Sequence, residues 1–482
     1  MLSLDPASAT PLYRQLYFAI REAILAGRLH PGTRLPATRA LARDHGLSRN
    51  TVVSAYEQLR AEGYLDGRVG AGSFVSAVLP EALLHARQPQ AETPAGRDSR
   101  PALSARGARL AALRELARSP PRAFSPGVPE LASFPFDDWA RLLARRWRNP
   151  PRSFLVGGDP SGYRPLREAL AVYLGAARAV SCDPDQILIV SGAQQAVDLA
   201  ARALLDPGDS VWMEEPGFGG TRGALLAAGA KLVPVPVDDE GIDVQQGRRM
   251  APGARMACVS PSHQYPLGVT MTLRRRLELL DWARAADAFV LEDDYDSEYR
   301  YAGRPLAAMQ GLDDAGRILY IGSFSKVMFP GLRIGYMVVP PGLVEAFRAI
   351  RALVDSHPSS VAQAALGDFI AEGYLAAHIR RMRALYAERQ AILLDALQAL
   401  PADLLRVAPH DAGMHLVGLL PDDYDDTALS RRAAALGITV PALSAFYRGG
   451  TVKRGLLLGY AGVGEPEIRA GAARLARALA GS

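Results

Sequence analysis

The sequence predicts an α/β protein in two parts: a small helical module closed by a glycine-tipped ribbon, then a large body on a mostly parallel central sheet. Three observations carry this. From Phe124 onward, apolar strand-like runs alternate with helical segments. Ahead of them, helical patterns and a glycine-rich ribbon fill residues 1–77. Charge is split as well: the 482 residues carry +5, but residues 1–122 hold 17 Arg against 10 acids, or +7, leaving about −2 for the rest. A basic front on a mildly acidic body suits a nucleic-acid-binding module joined to a second function.

From Pro11 to Ala26, Leu12, Leu16, Ile20 and Ile24 recur every four residues, with Tyr13, Phe18 and Leu25 expected to widen the stripe. This predicts an amphipathic helix ended near Gly27. After a turn at His30-Pro-Gly-Thr comes a short helix over Leu35–His45, with Pro36 at its start and Gly46 at its end. Ser48 is the expected N-cap of a third helix, Arg49–Glu62, which buries Val52, Tyr56 and Leu59. Gly63 to Val75 reads as a hairpin. The order helix, turn, helix, hairpin is that of a winged helix-turn-helix. Its phrases Leu-Pro-x-x-Arg, Gly-Leu-Ser-Arg-x-Thr-Val and Glu-Gly-Tyr-Leu resemble the GntR family. The resemblance implies double-stranded DNA as partner, contacted by Arg39, by Ser48, Arg49, Asn50 and Thr51 at the start of the recognition helix, and by Arg68, Val69 and Gly70 at the wing tip. Physics agrees: residues at that helix end face base edges, and an arginine can hold guanine O6 and N7 together.

Residues 78–122 turn to Ala, Pro, Gln and Arg without steady periodicity, with eight Arg against four acids. They read as a flexible linker with a helical turn or two near Ala105–Arg118. The body is expected over 123–482. Its strands are expected at 186–190, 210–213, 256–259, 288–291, 318–321 and 336–339. In such sheets ligands lie beyond the carboxyl ends of the strands, and polar residues cluster there. Ser191-Gly turns into a helix whose first amides, Ala193 and Gln194, suit an anion. Glu214-Glu-Pro-Gly-Phe218 ends another strand, and Glu292-Asp-Asp-Tyr-Asp-Ser-Glu-Tyr299 crowds acids at a third, which calls for a cation nearby.

Lys326 is the most informative residue. Only Lys231, Lys326 and Lys453 are lysines among 55 basic residues. A lysine amine can condense with an aldehyde to a Schiff base, which guanidinium cannot. Ser323, Ser325 and Arg333 around it suit a phosphate tail.

Ser-x-Ser-Lys followed seven residues later by Arg333 resembles the lysine segment of fold-type I aminotransferases, which use pyridoxal 5′-phosphate. The resemblance implies Lys326 as the Schiff-base lysine, Phe218 stacked on the ring, Asp293 at the ring nitrogen and Tyr295 at the ring hydroxyl. Together with the front module, the chain resembles the MocR subfamily of transcription regulators from end to end. That implies a fold-type I aminotransferase-like domain, a head-to-tail homodimer, and an effector that is a small amine, an amino acid or pyridoxal phosphate itself. Departures are visible. Tyr265-Pro-Leu-Gly268 stands where the aminotransferases have Asn-Pro-x-Gly, leaving His263 or Tyr265 to substitute. The arginine that grips a carboxylate falls at Leu457, leaving Arg222 or Arg454 as candidates. A regulator is therefore the first reading, and a working aminotransferase with an added DNA-binding domain the alternative.

No apolar run reaches membrane-span length and no leader is recognisable, which predicts a cytoplasmic chain without membrane contact. Cys182 and Cys258 lack the spacing of a disulfide framework or thiolate metal site, so no metal is expected.

Overall fold

Leu16, Ile20 and Ile24 bury one face of α1 (Leu12–Leu25) in the first of two units, Met1–Ala102 and Leu103–Ser482. The computed structural model describes residues 4–6, 8–68, 72–79, 103–112, 122–303, 306–400 and 403–480. The stripe on α1 is narrower than expected. Phe18 and Leu25 point well away from it at 100° per residue, and Tyr13 sits in the opening turn; all three are exposed, while Tyr17 is buried instead. Tyr17 Oη donates to Glu62, which satisfies the polar end of that buried ring.

α2 (Thr38–Asp44) begins two residues after Pro36, because Ala37 is still extended at ψ 142°. The Pro36 carbonyl accepts instead from Tyr56 Oη at 3.0 Å. Gly46 ends this stretch at φ +64°, a conformation that costs a Cβ-bearing residue more than glycine. α3 (Arg49–Ala61) is capped as expected, with Ser48 Oγ accepting from Thr51 N at 3.1 Å. Val52, Ala55, Tyr56 and Leu59 of α3 share one core with α1, Leu41, Leu65 and Val75. The hairpin is β1 (Leu65–Arg68) antiparallel to β2 (Gly72–Val75), with Arg34 bridged to Phe74 beside it.

Of the expected linker, a helix over Ala105–Ala111 is described, opened by Ser104 Oγ accepting from Gly107 N. Residues 80–102 and 113–121 lie outside the described residues.

The second unit is built on an eight-stranded sheet in the order β3-β10-β9-β8-β7-β4-β5-β6. Here β3 is Ile187–Val190, β4 Ser210–Glu215, β5 Lys231–Asp238, β6 Gly241–Ile242, β7 Met256–Val259, β8 Phe289–Asp294, β9 Ile318–Ser323 and β10 Gly335–Val338. The five strands β5, β4, β7, β8 and β9 run parallel, and β10 pairs antiparallel with both β9 and β3. Buried runs such as Ile187-Leu-Ile-Val190 and Met256-Ala-Cys-Val259 read as continuous apolar stretches because both faces of this sheet are covered. A smaller antiparallel sheet, β11 (Arg406–Val407), β12 (His415–Leu419) and β13 (Gly455–Gly459), carries its own core with Tyr386, Leu393 and Leu475.

The chain enters this unit along the small sheet. Phe124, fully buried at φ +66°, bridges Gly459 and its carbonyl accepts from Gly459 N at 2.9 Å. A Cβ on Gly459 would stand 2.3 Å from Ser125 O, so only glycine lets this segment lie so close. The path then brings Gly127 to Lys326 just past the end of β9. Among the described residues, no helix is long and apolar enough to cross a membrane, and no group of three metal-ligating side chains is gathered. Cys182 and Cys258 are free thiols.

Candidate functional site

β9 ends at Ser323, and the chain turns at once into the short helix Phe324–Val327 that carries Lys326. Ser323 caps it, its Oγ accepting from Ser325 N at 3.2 Å. The half-buried Lys326 points its Nζ at the Gly127 carbonyl, 2.5 Å away. A Cβ on Gly127 would lie 2.5 Å from that nitrogen, and Gly127 sits at φ +68°. The Lys326 carbonyl in turn accepts from Tyr299 Oη at 3.1 Å.

An anion corner lies beside it. Gly192, at φ +112°, turns β3 into the helix Ala193–Leu204. The first amides of that helix, Ala193 and Gln194 among them, have no preceding turn of carbonyls to donate to, and the helix dipole adds positive potential there. Arg333, in the left-handed region at φ +54° and exposed, brings its guanidinium within 3.7 Å of the place a Gly192 Cβ would occupy. Gln194 Nε2 donates to the Gly220 carbonyl at 2.6 Å, tying this corner to the segment carrying Phe218. Phe218 keeps 45% of its surface exposed although it follows a buried strand.

Acids line the ends of β4 and β8. Asp293 Oδ1 is buried without a hydrogen-bond partner. Burial, then the charges of Asp294 and Asp296, push its carboxyl up to about 7, against the opposing pull of Lys326. Burial also raises Glu214 to about 8, although Ser260 N and Gln264 Nε2 donate to it. His263 Nδ1 lies 3.0 Å from Asp296 Oδ2 and 2.9 Å from Tyr295 Oη, which orients both Tyr295 and the ring, while its Nε2 is buried without a partner. His415 and His410 pack around the His263 ring, and a Cβ on Gly413 would strike that ring at 2.1 Å. Burial above all, and His263 next, drives His415 down to about 3, so this imidazole is neutral.

That depression has a consequence for stability. Below about pH 6.5 the unfolded chain takes up a proton at position 415 that the folded chain refuses, so this contribution is lost as pH falls toward 3. His415→Gln, able to keep the bond from His415 Nε2 to the Pro266 carbonyl, is expected to be less stable than wild type at pH 8. Its deficit shrinks by about 1–2 kcal/mol at pH 5, as measured by denaturant melts.

The two carboxylate-grip candidates are occupied with other contacts. Arg222 is buried, and its Nη2 donates to the Phe446 carbonyl at 3.2 Å. Burial lowers its pKa, opposed by Glu215. Arg454 Nη1 lies 3.5 Å from Asp426, a fully buried carboxylate that also holds Ser444 and Gly455 N. Leu457 is fully buried among Val417, Leu443 and Tyr447.

In the first unit Arg39, Ser48, Arg49 and Asn50 are exposed and Thr51 is half-buried. The last four form the first turn of α3 with its cap, ahead of the first core residue Val52. Arg68 ends β1, while its side chain, Val69 and Gly70 lie outside the described residues. Arg34 and Arg60 flank the hairpin, Arg60 Nη2 donating to Ser73 Oγ at 3.2 Å. Sequence reading passed over these two. It also missed Gly127, Asp296, His410, His415 and Phe446, although the Gly-Val-Pro phrase and a histidine near an acidic strand end were signals.

Residues 125–475 match the family described as aminotransferase class I and II, and residues 12–75 match the bacterial regulatory proteins of the gntR family. The chain is 45% identical to the probable rhizopine catabolism regulatory protein MocR of Rhizobium meliloti, over 98% of this chain and 94% of that one. Its fold is similar to the Pyrococcus horikoshii kynurenine aminotransferase, solved with PMP, at TM-score 0.69 and 32% identity, covering 74% of this chain and 90% of that one. The Thermus thermophilus α-aminoadipate aminotransferase LysN, solved with N-(5′-phosphopyridoxyl)-L-leucine, is similar at TM-score 0.68 and 29% identity, covering 74% and 92%. With a gntR-type module at its front and a fold-type I aminotransferase domain filling most of its length, the chain belongs to the MocR-type family of GntR regulators.

Proposed function

We propose that this chain is a cytoplasmic transcription regulator that reads duplex DNA with residues 1–77 and holds pyridoxal 5′-phosphate on Lys326 in residues 123–482. The effector is a small amine, an amino acid or the cofactor itself. The arrangement of Lys326, Asp293 and Arg333 at neighbouring strand ends supports this reading most directly.

The residues present fit the cofactor. Asp293 Oδ1 is a buried acceptor without a partner, beside an amine, as a proton-bearing ring nitrogen requires. Gly192 leaves open the space next to the Arg333 guanidinium that a phosphate needs. Ala193 and Gln194 N–H groups, Ser323, Ser325 and Arg333 would hold the phosphate, Phe218 one ring face, and Tyr295, oriented by His263, the ring hydroxyl. Bound there, the cofactor supplies an aldehyde that captures primary amines and a ring that withdraws electrons. Arg333→Ala is expected to weaken pyridoxal phosphate binding by about 10- to 100-fold, the worth of a charged hydrogen bond, as read by fluorescence titration.

A homodimer belongs to the same reading. Trp147, Leu155, Val156 and Leu353 are between 58% and 87% exposed, and Gly158 N donates to His357 Nε2, which brings the 155–158 segment beside the end of the helix Val344–Val354. Such apolar exposure suits a self-complementary contact. The deciding experiment pairs two assays on the purified chain. Binding to its own upstream DNA that changes with an added amine or pyridoxal phosphate supports the regulator. Multiple turnovers of an amino donor and a keto acceptor, without an effect on DNA binding, would replace it with the aminotransferase.

A further inference from the structure

Tyr265 stands at the centre of a ring of aromatic neighbours. Its centroid is 5.7 Å from Phe218, 5.5 Å from Phe446, 6.1 Å from Tyr295 and 5.3 Å from His415. The interplanar angles, from 65° to 89°, place edges against faces throughout. Behind these rings lie the apolar residues Leu443, Val417 and Leu457. This cluster occupies the place where the Asn-Pro-x-Gly asparagine and the carboxylate-gripping arginine are absent from the sequence.

The cations beside this wall already have partners. Arg222 and Arg454 beside it are engaged, by the Phe446 carbonyl and by Asp426. His415 is held neutral, and burial lowers His410 as well. The acids Glu214, Asp293 and Asp296 sit together on the strand ends next to it. A carboxylate entering here would leave water for neutral rings and crowd acids whose carboxyls burial already pushes up, while the two guanidiniums that could offset its desolvation are turned to the Phe446 carbonyl and to Asp426. An amine brings no such charge, and the aromatic faces favour its cationic form.

We propose that the effector of this site is a primary amine without a carboxylate group, an alkyl, aryl or hydroxylated amine whose body lies against Tyr265, Phe446 and Phe218. The proposal rests on the cofactor reading above and narrows it. Tyr265 is then the residue that sets effector class, its ring filling the room that a shorter asparagine would leave to a carboxylate.

Matched pairs differing only by the carboxylate test this: 2-phenylethylamine against phenylalanine, tyramine against tyrosine, and ethanolamine against serine. Each is titrated calorimetrically into the full chain loaded with pyridoxal phosphate. The amine of at least one pair is expected to bind about tenfold or more tightly than its amino acid, about 1.4 kcal/mol. Tyr265→Asn, with its fold checked by thermal melting, is expected to bring that ratio toward one. Amino acids that bind as tightly as their amines in every pair overturn the proposal, as does a panel in which no amine binds. Wild-type protein that fails to retain the cofactor at all points instead to failure of the cofactor reading, which absorbance of the loaded chain decides before any ligand is added.

Discussion

Lys326→Ala is expected to lose all covalently held pyridoxal phosphate and the near-visible absorbance that accompanies it, while affinity for DNA without effector stays within a few-fold of wild type. The first part follows from chemistry. No other lysine is available at the strand ends: Lys231 opens β5 at the opposite end of that strand, and Lys453 lies in the exposed approach to β13. An arginine cannot take over, because guanidinium stays protonated. The second part follows from the division into two units, each with its own core. The variant's response of DNA binding to amines is expected to vanish with the cofactor, measured by gel shift with and without effector. Removal of Nζ also frees the Gly127 carbonyl, five residues beyond the linker's end at residue 122, so a modest change in thermal stability accompanies the loss.

Arg49→Ala produces the reverse pattern. Arg49 opens α3 beside the Ser48 cap and is exposed, so its removal leaves the packing of Val52 and Tyr56 untouched. Affinity for operator DNA is expected to fall by about 10- to 100-fold, corresponding to the ~1–3 kcal/mol of a bidentate base contact, and discrimination at one base pair relaxes. An Arg49 that touched only phosphate would weaken all sequences about equally and reduce the salt dependence by about one counter-ion. Competition binding against single-base operator variants separates the two cases. Cofactor retention is expected to stay at the wild-type level.

Much of this arrangement was legible in the residues. The six expected strands correspond to β3, β4, β7, β8, β9 and β10 because strands buried on both faces leave long apolar runs, and helix α3 announced itself through Ser48 and the spacing of Val52, Tyr56 and Leu59. Lys326 stood out because the chain otherwise uses arginine. Hidden features depend on contacts between distant segments. Gly127 meets Lys326 across 199 residues, and His415 on β12 and His410 in the loop before it reach His263. No local pattern encodes such meetings. The width of the α1 stripe differs for a local reason: Phe18 and Leu25 are apolar but lie well away from Leu16, Ile20 and Ile24 at 100° per residue, and they face solvent. Arg222 and Arg454 looked available as carboxylate ligands because their partners, the Phe446 carbonyl and Asp426, are set by tertiary packing.

The most direct measurement is borohydride reduction of the purified chain after incubation with pyridoxal phosphate, followed by peptide mapping. A single phosphopyridoxyl group on the peptide containing Lys326, absent from the Lys326→Ala protein, is the predicted result. Unmodified Lys326, or label spread over Lys231 and Lys453 to the same extent, would contradict the claim that this amine is where the regulator meets its cofactor.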